Sequence, residues 1–270
     1  GETLPSELPK NFAYTLKQPL GVVGMITPWN FPVSIPVWKM APALVAGNTV
    51  VLKPAELTPL TAAKVVEIFA AAGAPVGVVN LVLGAGEEVG DELVQSKTVR
   101  AVSFTGSTEV GAMIYANGAR GLKKCQCEMG GKNPVVVLAD ADLALAAESV
   151  VFGAFGSTGQ RCTATSRVVV EESVADQFVG MIVERAKKMK VGNGLESGVD
   201  MGPAVDETQL QTDLNYIEVG KQQNQAAPSD DDAHHHYAAP EPDLLSAVEL
   251  AGGNVLALRH HGNGTEQELD

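Results

Sequence analysis

The fold is decided by a valine-rich run and the proline-bracketed loop after it, Leu20-Gly21-Val22-Val23-Gly24-Met25-Ile26-Thr27-Pro28-Trp29-Asn30-Phe31-Pro32. A short apolar run without alternation predicts a strand buried on both faces, which the prolines end. Helical and strand patterns then alternate at spacings typical of parallel βαβ units with right-handed crossovers. The sequence therefore predicts an α/β fold with a doubly wound, mostly parallel sheet of the nucleotide-binding type.

The same patterns divide the rest of the chain into elements. Strands are predicted over residues 20–26, 49–53, 78–83, 99–104, 124–128, 135–138 and 168–170, with a candidate edge strand at 12–16. Helices are predicted over residues 33–46, 61–72, 87–95, 108–119, 140–155, 173–188 and 207–221. From Gln222 the composition becomes that of a divergent, weakly structured tail with one apolar patch at 244–258.

Composition restricts the class of protein. Hydrophobic residues make up 45% of the 270 and charged residues 19%, as expected for a chain with a sizeable core. A net charge of −13 argues against nucleic acid or an anionic membrane surface as the main partner. No run is apolar enough to span a bilayer, no signal peptide is visible, and three cysteines make no disulfide framework. We therefore expect a cytoplasmic protein.

One cysteine lies in a segment of small residues, Phe155-Gly156-Ser157-Thr158-Gly159-Gln160-Arg161-Cys162-Thr163-Ala164. Small neighbours let a ligand approach the backbone, and an accessible thiol can act as a nucleophile. A buried cysteine in a glycine-rich turn is the alternative. All five histidines lie after residue 233, so none nearby in sequence would act as a base for Cys162.

Five stretches together identify a family. They are Thr27-Pro28-Trp29-Asn30-Phe31-Pro32, Lys53-Pro54-Ala55-Glu56, Phe104-Thr105-Gly106-Ser107, Glu128-Met129-Gly130-Gly131-Lys132-Asn133-Pro134 and Gly159-Gln160-Arg161-Cys162. In this order and spacing they resemble the aldehyde dehydrogenase superfamily over residues 1 to about 221. The resemblance implies a remnant of an oligomerisation hairpin at 1–19, an atypical Rossmann-like cofactor domain at 20–129, part of an α/β catalytic domain at 130–221, and an unrelated tail at 222–270.

The resemblance also implies catalytic roles. Cys162 matches the nucleophile, which forms a thiohemiacetal with an aldehyde and then a thioester. Glu128 matches the general base that activates the hydrolytic water, although a carboxylate at a strand end is equally compatible with the spacing. Asn30 matches the oxyanion donor, with a turn residue as the alternative.

Cofactor positions follow from the same motifs. Lys53 and Glu56 match the residues that hold the adenosine ribose, where a carboxylate favours NAD over NADP although Lys53 leaves NADP open. Gly106 and Ser107 open a helix that can meet a pyrophosphate, with a simple N-cap as the alternative. The remaining matched cofactor positions are Thr27, Pro28, Trp29 and Gly130. The near-fingerprint Gly84-Ala85-Gly86-Glu87-Glu88-Val89-Gly90 has the wrong last spacing and is interpreted as a strand-to-helix turn near the cofactor.

The chain departs from the family pattern at both ends, as a truncated enzyme would. It contains no Glu-Glu-x-Phe-Gly-Pro segment, which in the family anchors the nicotinamide ribose. Three hypotheses follow: an NAD-dependent aldehyde dehydrogenase, a cofactor-independent thiol esterase using Cys162, Glu128 and Asn30, or a non-catalytic remnant. The expected ligand is a small aldehyde or ester, and Arg161 beside the nucleophile hints at a carboxylate-bearing semialdehyde. We expect a homo-oligomer, and no metal site is predicted, since the triplet His234-His235-His236 is interpreted as solvated.

Overall fold

The structure, a computed structural model, describes residues 1–225 and 256–260. The chain divides into two compact units, one of residues 1–130 and one that begins at Gly131. No helix in these two described stretches is long and apolar enough to cross a membrane.

The first unit begins with a small antiparallel pair, β1 (Thr3–Leu4) and β2 (Ala13–Tyr14). Its main sheet contains β3 (Val22–Ile26), β4 (Thr49–Lys53), β5 (Val79–Leu81), β6 (Val99–Thr105) and β7 (Lys124–Glu128). Its helices are α1 (Ser34–Val45), α2 (Pro59–Ala71), α3 (Asp91–Gln95) and α4 (Thr108–Arg120).

The main sheet has the strand order β5-β4-β3-β6-β7, and every neighbouring pair is parallel. From β3 the chain adds β4 and β5 on one side of the sheet. It then returns to the other side of β3, where it adds β6 and β7. The predicted doubly wound, mostly parallel sheet is therefore confirmed. Ligands of such sheets bind outside the carboxyl ends of the strands, where the winding direction reverses; here that point lies between β3 and β6.

Both faces of this sheet are covered. Val23 and Met25 of β3 pack with Met40 of α1 and Val65 of α2 on one face. On the other face, Ile26 packs in a cluster that holds Leu93 and Val94 of α3 and Ile114 of α4. Burial on both faces explains why β3 is a continuous apolar run.

The second unit is a smaller α/β assembly. Its elements are β8 (Asn133–Val137), α5 (Leu143–Phe155), β9 (Thr165–Glu171), α6 (Glu172–Lys188), α7 (Glu207–Gln225) and β10 (Leu256–His260). The three strands form a parallel sheet in the order β10-β9-β8. Its core is built around Phe155, Phe178 and Val150, which are fully buried.

Several element boundaries differ from the sequence prediction, and three of the differences show how local structure sets them. The helix predicted from residue 140 begins at Leu143, because the Asp142 side chain accepts hydrogen bonds from the backbone N–H groups of Ala144 and Leu145 at 3.0 and 3.1 Å and caps it. The helix predicted over 87–95 is a π-helical turn, Gly86–Gly90, followed by α3. The strand predicted over 78–83 shortens to β5, which lies at the edge of the sheet and pairs on one side only.

The predicted tail is described only in part. Helix α7 continues past Gln222 to Gln225, and β10 takes in the end of the apolar patch predicted at 244–258. The rest of that patch and the histidine triplet lie outside the described residues.

Candidate active site

Predicted site residues of the first unit meet at the carboxyl edge of its sheet. Four neighbouring strands, in the spatial order β4-β3-β6-β7, end at Lys53, Ile26, Thr105 and Glu128. The register pairs Ile26 with Lys53, and Thr105 with Glu128. These ends therefore form one continuous edge that includes the point where the winding direction reverses.

The residues just beyond the strand ends are fixed to this edge by backbone hydrogen bonds. The N–H of Thr27 donates to the carbonyl of Lys53 at 3.1 Å, and the N–H of Gly106 donates to the carbonyl of Glu128 at 3.1 Å. The structure thus brings Thr27, Lys53, Gly106 and Glu128 to the same edge, although they are spread over a hundred residues of sequence.

Two buried hydroxyls flank the reversal point. Thr27 and Thr105 are 3% and 6% exposed, and within the described residues neither side-chain oxygen has a hydrogen-bond partner. Buried polar atoms are nearly always satisfied, so two orphaned hydroxyls here indicate a place where water or a polar ligand supplies the missing partner. This edge therefore fits a nucleotide cofactor.

The predicted ribose-binding pair forms a tight ion pair. Lys53 Nζ lies 2.6 Å from Glu56 Oε1, with the lysine side chain buried and the carboxylate half-exposed. Burial alone would raise the pKa of the Glu56 carboxyl, but hydrogen bonds from Lys53 and from the backbone N–H groups of Glu56 and Gly86, with the charge of Lys53, lower it overall. Glu56 is therefore held as a carboxylate with its charge partly exposed, as a group that accepts ribose hydroxyls should be.

The near-fingerprint turn lies beside this pair. Its Gly86 is the residue whose N–H contributes to the lowered pKa of Glu56, and a side chain added there would lie 3.9 Å from Lys53 Nζ. The turn thus adjoins the predicted ribose-binding pair, and it joins β5 to the helical segment that follows.

The other predicted positions lie in loops next to the sheet edge. Pro28, Trp29 and Asn30 are half-buried in the loop that joins β3 to α1. Ser107 is the N-cap of α4, and its Oγ accepts the N–H of Val110 at 3.3 Å, so the N-cap role left open by the sequence is present. Gly130 is exposed at the end of the first unit, and an added Cβ would meet no atom within 4 Å.

Sequence reasoning missed a polar network behind Glu128. The Nε2 group of Gln126 donates to Glu128 Oε1 at 2.7 Å. The carbonyl oxygen of Gln126 accepts from Ser103 Oγ at 2.6 Å and from Lys39 Nζ at 3.3 Å. A buried cation is therefore connected to the predicted base through a single amide.

Lys39 is the buried member of this network. It is 6% exposed and also donates to Ser103 Oγ at 2.9 Å and to the Phe104 carbonyl at 3.2 Å. Burial lowers its pKa from the ordinary 10.5 to about 8, although Glu128, and Cys127 when ionised, act to raise it. The signal was available in the sequence, since Lys39 lies among the buried Ile35, Pro36 and Met40 of an otherwise apolar helix face.

In the second unit, the segment before Cys162 has an unusual backbone. Ser157, Thr158 and Gly159 have φ of 55°, 57° and 65°, a left-handed turn that costs about 1 kcal/mol or more for each non-glycine residue. The turn is held in place because Thr158 Oγ1 donates to the Gly202 carbonyl at 2.9 Å and Gln160 Oε1 accepts the Val205 N–H at 3.0 Å. Strain fixed in this way is typical of functional sites.

The nucleophile candidate itself is anchored through its backbone. The Nδ2 group of Asn133 donates to the carbonyl oxygens of Cys162 and Ala164 at 2.8 and 3.0 Å. Asn133 begins β8 and pairs with Thr165 at the start of β9, so the sheet register brings its side chain to the cysteine loop. Cys162 is half-buried and in no disulfide. The sequence contained Asn133 within a quoted motif, but no role was assigned to it.

Arg161, predicted as a hint of carboxylate recognition, is engaged with a helix end. Its Nη2 group donates to the carbonyls of Phe152 and Gly153 at 2.7 and 3.0 Å, and its guanidinium lies 5.3 Å from the Phe152 ring centre. A Cβ on Gly156 would lie 2.9 Å from Nη2, so the guanidinium occupies the space that the glycine leaves. A cation at the carboxyl end of a helix is favourable. An open cavity of about 470 Å³ beside it is lined by Arg161, Phe152, Lys188 and Asp200, among others.

Among the residues whose placement is described, no group of three or more His, Cys, Asp or Glu side chains could hold a metal ion. Cys125 and Cys127 lie on the half-buried face of β7, and burial raises the pKa of both thiols. Their environment is that of inert core thiols rather than of nucleophiles.

Comparison with known proteins gives one consistent family. A 2,5-dioxopentanoate dehydrogenase of Saccharolobus solfataricus is 57% identical over 223 residues, which cover 82% of this chain and 46% of that protein. An alpha-ketoglutaric semialdehyde dehydrogenase of Bacillus subtilis is 53% identical over 83% of this chain and 46% of its own length. The chain thus spans about half the length of the curated relatives that it matches.

Solved structures agree with the sequence relatives. The crystal structure of betaine aldehyde dehydrogenase from Staphylococcus aureus in complex with NAD+ matches with a TM-score of 0.82 at 35% identity, over 96% of this chain and 54% of that one. The family model described as "Aldehyde dehydrogenase family" matches residues 1–246, beyond the predicted divergence at Gln222. The five sequence motifs are distributed over the unit with the doubly wound sheet and the second unit, and the family model spans both. The chain therefore belongs to the aldehyde dehydrogenase family.

Proposed function

We propose that this chain carries the nucleophile, the base and the cofactor edge of an NAD-dependent oxidation of an aldehyde to a carboxylic acid. The observation that carries the proposal is the alignment of four strand ends, which places Lys53, Thr27, Gly106 and Glu128 along one edge of a doubly wound sheet. Ligands of such sheets bind at this edge, so predicted cofactor residues and the predicted base share the expected place.

The proposed chemistry begins at Cys162. Its thiolate attacks the aldehyde carbonyl carbon, and the carbonyl oxygen becomes an oxyanion. Asn30 is the proposed side-chain donor to that oxyanion, because a neutral amide stabilises developing charge without adding a charge to the ground state. The hydrogen bonds to the carbonyls of Cys162 and Ala164 support the proposed role of Cys162 as the nucleophile. A nucleophile whose backbone is held in one place loses less entropy in the transition state.

Lys53, Glu56, Gly106 and Ser107 are the residues proposed to hold NAD, which when bound would supply the hydride acceptor for this oxidation. Cys162 would then carry the acyl group as a thioester. Glu128 is the proposed base for the second half of the reaction. It takes a proton from water as the water oxygen bonds to the acyl carbon, after which the carbon–sulfur bond breaks and the Cys162 thiolate is released with the carboxylic acid.

The ribose-binding pair favours NAD over NADP. A 2′-phosphate would approach the half-exposed Glu56 carboxylate, whose pKa is lowered and which therefore stays charged. The cation beside it is buried and already paired at 2.6 Å, so it offers little compensation. Lys53 and Glu56 would hold the two ribose hydroxyls instead.

The substrate class is proposed from the relatives. Dehydrogenases named for 2,5-dioxopentanoate and for alpha-ketoglutaric semialdehyde share 57% and 53% identity with the chain. We therefore propose a short aldehyde that carries a carboxylate. The test compares 2,5-dioxopentanoate with an uncharged aldehyde of similar length, following the absorbance of reduced nicotinamide. Equal kcat/KM for both would remove the proposed substrate class, and no reduced nicotinamide with either would remove the oxidation.

Ester hydrolysis is a second candidate, favoured by one observation. Asn133, Gly202 and Val205 of the second unit all form hydrogen bonds with the cysteine loop, and none of these contacts requires a bound cofactor. An activated ester brings its acyl group at the oxidation level of the thioester, so no hydride has to leave.

The two candidates are separated by one pair of assays on the same preparation. Reduction of NAD with an aldehyde reports oxidation, and release of nitrophenol from a nitrophenyl ester reports hydrolysis, with Cys162→Ala as the blank for both. Activity with the ester alone supports the hydrolase, and activity with neither supports a folded, non-catalytic module.

A further inference from the structure

The side chains of β7 alternate between two faces, and this alternation places Gln126 beside Glu128. Cys125 and Cys127 are half-buried on one face, whereas Lys124, Gln126 and Glu128 are exposed on the other. Residues two apart on a strand share a face. The 2.7 Å hydrogen bond from Gln126 Nε2 to Glu128 Oε1 follows from that spacing.

The other end of the Gln126 amide decides how the side chain points. Its carbonyl oxygen accepts from Ser103, which is directly opposite in the sheet register, and from the ammonium of Lys39. A rotated amide would place its NH₂ group against the ammonium, where donor would meet donor. Only one orientation satisfies the network, and it directs the amide donor at Glu128.

We propose that Gln126 is a positioning residue, which holds one carboxylate oxygen of Glu128 so that the other is presented to the hydrolytic water. This inference rests on the proposed role of Glu128 as the base. A glutamate on an exposed strand face otherwise samples several rotamers, and ordering it costs entropy. Because Ser103 and Lys39 fix the Gln126 amide, the Glu128 side chain is already ordered in the folded protein. The entropy cost of ordering it is therefore not added when Cys162 becomes acylated.

The test uses pre-steady-state cleavage of a nitrophenyl ester by the whole chain. The burst of nitrophenol reports acylation of Cys162, and the steady rate reports deacylation. Gln126→Met keeps the side-chain length and removes the donor. Because a hydrogen bond to a charged group is involved, we expect the steady rate to fall about tenfold while the burst rate is unchanged. Acylated protein should then accumulate in a mass spectrum of the quenched reaction.

Two further variants separate positioning from a general effect on folding. Lys124→Met makes a similar change on the same face of the same strand and should alter neither phase. Gln126→Glu keeps the shape but cannot donate when ionised, so its steady rate should fall at least as far as that of Gln126→Met. A wild-type steady rate in either Gln126 variant, or equal losses in burst and steady rate, would overturn the proposal.

A spectroscopic measurement tests the contact without any activity. The side-chain ¹⁵N–¹H signals of Gln126 are assigned by their loss in Gln126→Met, and Glu128→Gln should shift them. Signals that do not move would refute the contact even in an active protein. If the wild type shows no burst while the signals do move, the proposed function fails and the amide–carboxylate contact stands.

Discussion

The buried ammonium of Lys39 makes a prediction about stability that needs no assumption about catalysis. Its pKa is lowered from 10.5 to about 8 in the folded protein, first of all by burial. Between these two values the unfolded chain binds more protons than the folded one, so the contribution of this group makes stability rise with pH. The full shift corresponds to about 3 kcal/mol, of which about 2 kcal/mol falls between pH values of about 7.5 and 10.

The perturbation is Lys39→Met, which removes the ionisable group from the same buried position. The free energy of unfolding of the wild type minus that of the variant should increase by about 2 kcal/mol between these two pH values. Urea unfolding followed by tryptophan fluorescence measures it, because Trp29 and Trp38 both lie in the first unit. Lys124→Met, on the exposed face of β7, is the control for other groups that titrate in this range. A difference that stays constant within about 0.5 kcal/mol would show that Lys39 is not buried as a charged group.

Four further predictions concern the site and the assembly. Iodoacetamide should label Cys162 faster than Cys125 and Cys127, whose thiol pKa values are raised by burial; equal labelling, read by peptide mass spectrometry, would contradict the nucleophile. Glu128→Gln should slow deacylation and let an acyl adduct build up on the intact protein; normal turnover without an adduct would make Glu128 structural. Gly156→Ala should cost about 1–3 kcal/mol in urea unfolding, because the added Cβ would lie 2.9 Å from Arg161 Nη2, and an unchanged midpoint would show that the guanidinium can move freely. Light scattering at micromolar concentration should give a dimer or larger species, because Val110, Met113 and Tyr115 leave apolar surface on α4 exposed; a monomer would refute it.

The sheet could be predicted from the sequence because its strands are buried on both faces. A short, continuous apolar run such as the one at β3 is most stable as a strand that is buried on both faces. The spacing of the helices between the strands then favours a parallel arrangement. The helix caps and turns were harder to predict from the sequence. The cap at Asp142 and the π-helical turn at Gly86–Gly90 are set by local backbone and side-chain geometry, which hydrophobic periodicity does not encode.

Candidate site residues could be proposed from the motifs, but the residues that contact them could not. Glu128 stands in a motif, whereas Gln126, Ser103 and Lys39 support it from two strands and a helix. Their contact depends on the register of β6 against β7, which the sequence leaves open. In the sequence, Lys39 stands out only as a charged residue on an apolar helix face. A buried charge needs a hydrogen-bond or ion-pair partner, but the sequence does not identify that partner.

Arg161 shows why neighbourhood in sequence is a weak guide to a charge's role. It precedes the nucleophile candidate, and that position suggested recognition of a substrate carboxylate. Its Nη2 group instead donates to the carbonyls of Phe152 and Gly153, nine and eight residues earlier, at the end of α5. The helix end turns back at Gly156, where the absence of a side chain leaves room for the guanidinium. To bind a carboxylate with Nη2, Arg161 would have to release those two carbonyls, and the segment that leads directly to Cys162 would lose one of its attachments. The cation beside the nucleophile candidate is therefore better understood as part of what holds the cysteine loop to its helix than as a group that selects the substrate.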